Sequence, residues 1–171
     1  FDKFRWVGAS QATKVADHVN NTLTLNSTSS ATDAYTTSYD KNQKGYMTLV
    51  PGRVYEYSCT VKNNTASAST ASMFLFTFPS APSSATSPGL GSDRTDFTST
   101  YIDVAANGTG TITGTLTIPS GRPYATIRVG TYTPSTSLTF SNICVRDITD
   151  FTTNLGTTDA PTKASPLFKS G

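Results

Sequence analysis

Few side chains in this sequence have the types and spacing that covalent chemistry needs. His18 is the only histidine, so any Ser-His-Asp or Cys-His arrangement must be built around it. Its neighbour Asp17 is adjacent in the chain, and adjacent side chains diverge. No G-x-S-x-G elbow accompanies it. Asp93 and Asp96, flanking Arg94 beside a long loop, are the one close acidic pair that could serve as the acid and base of a glycosidase. They read more simply as a solvated turn beside a strand. No HExxH, EF-hand loop or phosphate-binding glycine loop is present, and Gly108, Gly110 and Gly114 sit in a Thr-rich strand region as turn or bulge residues. No enzymatic activity, cofactor or metal site is therefore expected. The sequons at Asn20, Asn26, Asn63 and Asn107 are what chance supplies in so Thr-rich a chain.

The aromatic residues are more informative: eight Tyr, nine Phe and one Trp. A tyrosine ring has an apolar face and a polar edge, which matches the C–H patches and hydroxyls of a sugar. Tyr55 and Tyr57 are in phase with Cys59 and Val61 and read as core residues with bonded hydroxyls. Tyr35, Tyr39, Tyr46 and Tyr132 lie near turns and strand ends and are the candidate ligand contacts. Trp6 reads as an anchor for the N-terminal arm.

Strands must position these residues. Ser and Thr make up roughly 30% of the chain, against 14% charged residues, a composition that favours an all-β protein with many loops. Thr111 to Ile118, Tyr124 to Val129 and Leu138 to Ile148 are three strand-like runs separated by Pro119-Ser120-Gly121 and Thr133-Pro134-Ser135. Val54 to Lys62 alternates cleanly. Met73 to Phe78 is so densely apolar that it predicts a central strand covered on both faces. Phe1 to Val7, Asn20 to Leu25, Ala34 to Tyr39, Tyr46 to Val50 and Phe97 to Val104 complete the strand candidates. Ala12 to Val19 reads as a short helix weakened by Thr13 and two valines. Ser80 to Gly91 is a long loop. Eight to ten strands with frequent turns predict an antiparallel β-sandwich of jelly-roll type over residues 1–150. Residues 151–171 are expected to form a polar tail that leaves the sandwich near Ile148, either a linker that is mobile in isolation or, in an assembly, an arm that docks on neighbouring subunits with Leu167 and Phe168 as its anchor.

The formal charge of +2 comes from basic and acidic residues scattered singly, which argues against nucleic acid as a partner. No apolar stretch approaches a membrane span. Phe1 is neither an initiator nor part of a leader, so a processed product or a fragment is expected. Cys59 shares a face with Tyr55, Tyr57 and Val61, whereas Cys144 is out of step with Ile143 and Val145, so two unpaired thiols are expected rather than a bridge.

Two segments resemble a known family. VPGRVYEYSCTVKN, from Val50 to Asn63, is similar to the Pro-Gly-x-x-Tyr-x-x-Ser-x-x-x-Lys strand of jelly-roll carbohydrate-binding modules of the family 4 and 9 group. GTITGTLTIPSGRPYATIRVG followed by LTFSNICVRDIT resembles the later strands of that group, whose fold is galactose-binding-like and also occurs in bacteriophage tail and virion surface proteins. The resemblance covers about a third of the chain. It implies a non-catalytic glycan-binding module with an adhesion role on an extracellular or virion surface protein, with carbohydrate as partner. The alternative is a structural virion or surface-assembly module that contacts other protein chains. Where the family commonly places an Asp near a structural calcium, this chain has Ser141 beside Asn142, and the family's exposed cleft tryptophans have no counterpart.

Overall fold

The computed structural model describes residues 4–40, 46–81 and 97–150. Their order is β1 (Phe4–Ser10), β2 (Ala12–Asp17), β3 (Thr22–Ser27), β4 (Ala34–Asp40), β5 (Met47–Thr48), β6 (Val54–Asn63), β7 (Ser69–Phe78), β8 (Phe97–Val104), β9 (Thr109–Thr117), β10 (Tyr124–Thr131) and β11 (Ser137–Asp147). They form two antiparallel sheets. The first has the order β1-β4-β10-β7-β8, with β5 also paired to β10; the second has the order β2-β3-β11-β6-β9. The two sheets pack as the expected β-sandwich. Asp93, Asp96, most of the Ser80 to Gly91 loop and the 151–171 tail lie outside the described residues.

Period-two alternation decides which side chains fill the space between the sheets. Tyr55, Tyr57, Cys59 and Val61 of β6 face Met73 and Leu75 of β7 and Ile127 and Val129 of β10, with Leu23, Leu25, Ile112, Leu138, Phe140 and Ile143 closing the core. Each large apolar side chain buried this way contributes about 1.5–3 kcal/mol. Tyr57 crosses from the second sheet to the first, its hydroxyl 2.9 Å from Thr100 Oγ1. The path runs over Gly114 of β9, where a Cβ would lie 2.2 Å from the Tyr57 hydroxyl. At the opposite edge Lys14 points inward from β2 and donates to the Trp6 carbonyl of β1, tying the two sheets together. Trp6 is buried at this edge, in keeping with an anchoring role.

One segment departs from expectation. Ala12 to Val19 is not a helix: Ala12 to Asp17 is the edge strand β2, paired with β3 from Ala12↔Ser27 to Asp17↔Thr22. Its alternation has period two, with Thr13 and Val15 exposed and Ala12, Lys14 and Ala16 half-buried, and β-branched side chains suit that pleat. The Asp17 carboxylate closes the turn that follows by accepting from the amides of Val19 (2.9 Å) and Asn20 (3.0 Å), and Asn21 takes φ +52°. His18 sits exposed in that turn.

In β11 the inward positions Leu138 and Phe140 are followed by Ile143 and Val145, a phase change that a regular strand cannot make. A bulge between Ser141 and Cys144 absorbs it, with Asn142 at φ +50°. Cys144 therefore points to solvent while Cys59 is buried, and both thiols are free.

At the far end of β6 the fully buried Asn63 donates its amide to the carbonyls of Ser67 (2.8 Å), Val104 (3.2 Å) and Ala105 (3.2 Å). Its Oδ1 accepts from the Thr65 amide at 2.9 Å. No helix among the described residues is long and apolar enough to cross a membrane.

Candidate binding site

The side chains that do not fit the economy of a sandwich lie on the outer face of the first sheet. In β7, Met73 and Leu75 enter the core, so Phe74, Phe76 and Phe78 point the other way, yet all three are buried. Met73 to Phe78 is thus a central strand covered on both faces, as its apolar density implies. In β10 the same alternation sends Ile127 and Val129 inward and Thr126 and Arg128 outward. Strand register then sets two rows across the outer face. One runs Thr37, Arg128, Phe74, Ser99; the next runs Tyr35, Gly130, Ser72, Tyr101. The small residues in the middle of the second row leave the tyrosines at its ends. Gly130 is required by the backbone itself, since a Cβ there would lie 2.5 Å from the Ala34 carbonyl oxygen.

Arg128 is the centre of this face. It is only 4% exposed, its Cζ 3.8 Å from the Tyr35 ring centroid and 4.8 Å from that of Phe74. Stripping water from a guanidinium is costly unless it is paired, and here Nη2 donates to Asp33 Oδ1 at 2.5 Å while the two ring faces offer their negative quadrupoles. Arg128 Nε is buried and takes no partner among the described residues. From Phe74 the aromatic stripe continues in both directions. Phe76 stacks parallel to it at 5.6 Å, and Tyr101 meets it edge-on at 5.6 Å. Tyr101 in turn lies 5.6 Å from Tyr132, with their hydroxyls 3.3 Å apart.

Tyr101 and Tyr132 are the exposed aromatic side chains among the described residues, at 46% and 39%. Partial burial, the hydrogen bond to Tyr101 and the negative charge of Asp33 push the Tyr132 phenol up to about 12, so its hydroxyl keeps its proton at any physiological pH. The result is an exposed pair of rings inclined at 34° to each other, with hydroxyl edges beside an ion pair.

Of the four tyrosines singled out from the sequence, Tyr35 and Tyr132 meet around Arg128. Tyr46 packs edge-on against Tyr124 at 4.9 Å, towards the other end of β10, where Tyr124 joins the Phe74, Phe76 and Phe78 cluster. Tyr39 is placed as a strand position of β4 paired with Arg5 of β1; its side chain lies outside the described residues. Tyr101, Arg128 and Asp33 were not among the candidates. Alternation about Ile102 and Ile127 was the available signal for Tyr101 and Arg128, but a lone arginine at an outward strand position reads as solvated. Among the described residues no three His, Cys, Asp or Glu side chains gather as a metal site would require.

No family model and no curated protein matches the sequence. Solved structures do match in fold. A family 4 carbohydrate-binding module superposes with a TM-score of 0.57 at 15% identity, over 85% of this chain and 87% of the other. The fold is that of a jelly-roll carbohydrate-binding module. The family 22 xylan-binding domain from Paenibacillus barcinonensis agrees with it, at TM-score 0.54 and 11% identity over 84% of this chain and 85% of that domain. So does the enzymatically active domain of tailspike protein 4 from bacteriophage CBA120, at TM-score 0.54 and 15% identity, where the match covers 85% of this chain but 19% of the tailspike chain.

Proposed function

We propose that this chain is a non-catalytic module that holds a glycan against the outer face of the first sheet. The observation that carries the reading is the exposed Tyr101–Tyr132 pair set beside the Asp33–Arg128 ion pair. A pyranose ring stacks its C–H face on such a surface and meets hydrogen-bonding groups at its rim. Tyr132 and Tyr101 make the stacking contact, Tyr35 supports Arg128 from the side, Tyr46 extends the contact towards the far end of β10, and Tyr39 is a further contact in this proposal. The fold shared with carbohydrate-binding modules supports the reading. A place on an extracellular or virion surface protein, with adhesion as its role, belongs to the same proposal, and the fold shared with a phage tailspike domain is compatible with it.

The test is a glycan array probed at high protein concentration, followed by titration calorimetry on the strongest binder. Binding that Tyr101→Ala and Tyr132→Ala each weaken by about tenfold is expected. An array that stays blank, with both variants folded, would overturn the reading in favour of an assembly module that contacts only protein.

A further inference from the structure

Asp33 stands just ahead of β4. The last ladder pair of β4 and β10 is Ala34↔Thr131, so Asp33 and Tyr132 occupy the next positions beyond the two strands, at the mouth of the tyrosine surface. One carboxylate oxygen, Oδ1, is held at 2.5 Å by Arg128 Nη2. The other takes no partner among the described residues, and the side chain is 40% exposed. Arg128 itself is too deeply buried to touch a ligand, and its plane is fixed between Tyr35 and Phe74. The geometry is that of an acceptor whose orientation is locked from below and whose free lone pairs face solvent beside two stacking rings.

Resting on the glycan reading above, we infer that Asp33 is the specificity-determining acceptor of the site, orienting a neutral saccharide through a ring hydroxyl, and that Arg128 is the residue that positions it. An ionised carboxylate accepts and never donates, so it recognises a hydroxyl and discriminates against an ether or a second anion at that place. The surrounding charge points the same way. Among the described residues the one cation at the site is Arg128, which is buried and already paired. On the other side, Asp103 lies two residues beyond Tyr101 on the same face of β8, its Oδ1 accepting from Thr70 Oγ1 at 3.2 Å. A glycan carrying uronate or sulfate groups thus meets two carboxylates with no accessible positive charge between them among the described residues. Uncharged glycans are the class this surface takes.

The experiment is an array of neutral, uronate-bearing and sulfated oligosaccharides probed with the full chain, followed by calorimetry with the strongest neutral binder and with its O-methylated analogues. Expected are binding of neutral members only and a loss of about tenfold or more for Asp33→Asn. At least one O-methylated analogue should bind the parent protein weakly and the Asp33→Asn variant no more weakly than that. Arg128→Lys separates positioning from a general defect: it should weaken the parent sugar while leaving that same analogue unchanged, whereas a damaged fold weakens both alike and would overturn the positioning role. Equal binding of acidic and neutral glycans, or an Asp33→Asn variant that binds as the parent protein does while Tyr132→Ala fails, would sink this inference and leave the glycan reading standing. A blank array removes both.

Discussion

The two outer faces of the sandwich are built by the same number of principal strands and obey the same alternation, yet they carry opposite chemistry. On the second sheet one row runs Thr22, Ser141, Thr60, Thr111 and the next runs Thr24, Thr139, Lys62, Thr109. These side chains satisfy one another or water; Thr24 Oγ1 and Thr139 Oγ1, for instance, are 2.9 Å apart. Nothing more is needed of a solvated sheet, since threonine fits the pleat and its hydroxyl faces out. On the first sheet the corresponding positions hold Tyr35, Phe74, Phe76, Tyr101 and a buried arginine. Rings placed on the outer side of a sandwich do nothing for the inter-sheet core. Among the described residues such rings stand on one face only, and that is the face to which the proposed site is assigned.

The contrast can be broken most severely at Gly130. Gly130→Ala drives a methyl group into the Ala34 carbonyl and forces β4 away from β10, taking the Tyr35–Arg128–Asp33 assembly with it. A destabilisation of about 3 kcal/mol is expected, which calorimetry would read as a fall in Tm of roughly 6–12 °C. An unchanged Tm would mean that the close approach of these strands is not needed.

Next in size is the loss of ligand. Tyr132→Ala and Tyr101→Ala should each lose about tenfold in glycan affinity with less than about 1 kcal/mol lost in stability, because both rings are already half in water. A collapse of stability in chemical denaturation would instead make them structural.

A third measurement compares inside with outside directly. Burial pushes the Cys59 thiol up to about 12 from an ordinary 9.0, whereas Cys144 faces solvent. At pH 8 a thiol reagent should therefore label Cys144 alone, with Cys59 reacting only on unfolding. The unfolded thiol ionises first, so this contribution to stability is complete below about pH 9 and is lost as pH rises towards 12. Labelling of both cysteines at equal rates would contradict the burial of β6.

The smallest effect belongs to the threonine face. Thr111→Ala or Thr60→Ala should change stability by no more than about 0.5 kcal/mol and leave glycan binding untouched. A loss of binding there would move the site to the other sheet.

Most of the scaffold was legible because it rests on period-two patterning. The apolar density of Met73 to Phe78 announced a strand covered on both sides, and the phases of Cys59 and Cys144 announced which thiol is inside. Local propensity misled at Ala12 to Val19, where alanines and a lysine suggest a helix but pairing with β3 decides the matter. The candidate site was only half visible. Tyr35 and Tyr132 stood out as amphipathic rings near strand ends, but the Asp33–Arg128 pair joins residues 95 positions apart, and no local pattern announces a contact set by the sheet order. Tyr101 was hidden for a related reason: mid-strand, it resembles any other pleat position until register brings it beside Phe74.

The clasp at Asn63 bears on how such a chain is made. The nitrogen that donates to the carbonyls of Ser67, Val104 and Ala105 is the same atom to which an oligosaccharyltransferase would attach sugar, because Asn63-Asn64-Thr65 is a sequon. In a secretory host the enzyme and the fold therefore compete for one amide. A chain that folds first hides it; a chain modified first cannot close the corner between β6 and β7. Mutating Thr65 to remove the sequon would discard the hydroxyl that bonds Asn63 Oδ1, whereas bacterial expression avoids the contest altogether. The same fold made in two cells should thus differ in yield of native protein, with glycosylated Asn63 enriched in the misfolded fraction by mass spectrometry.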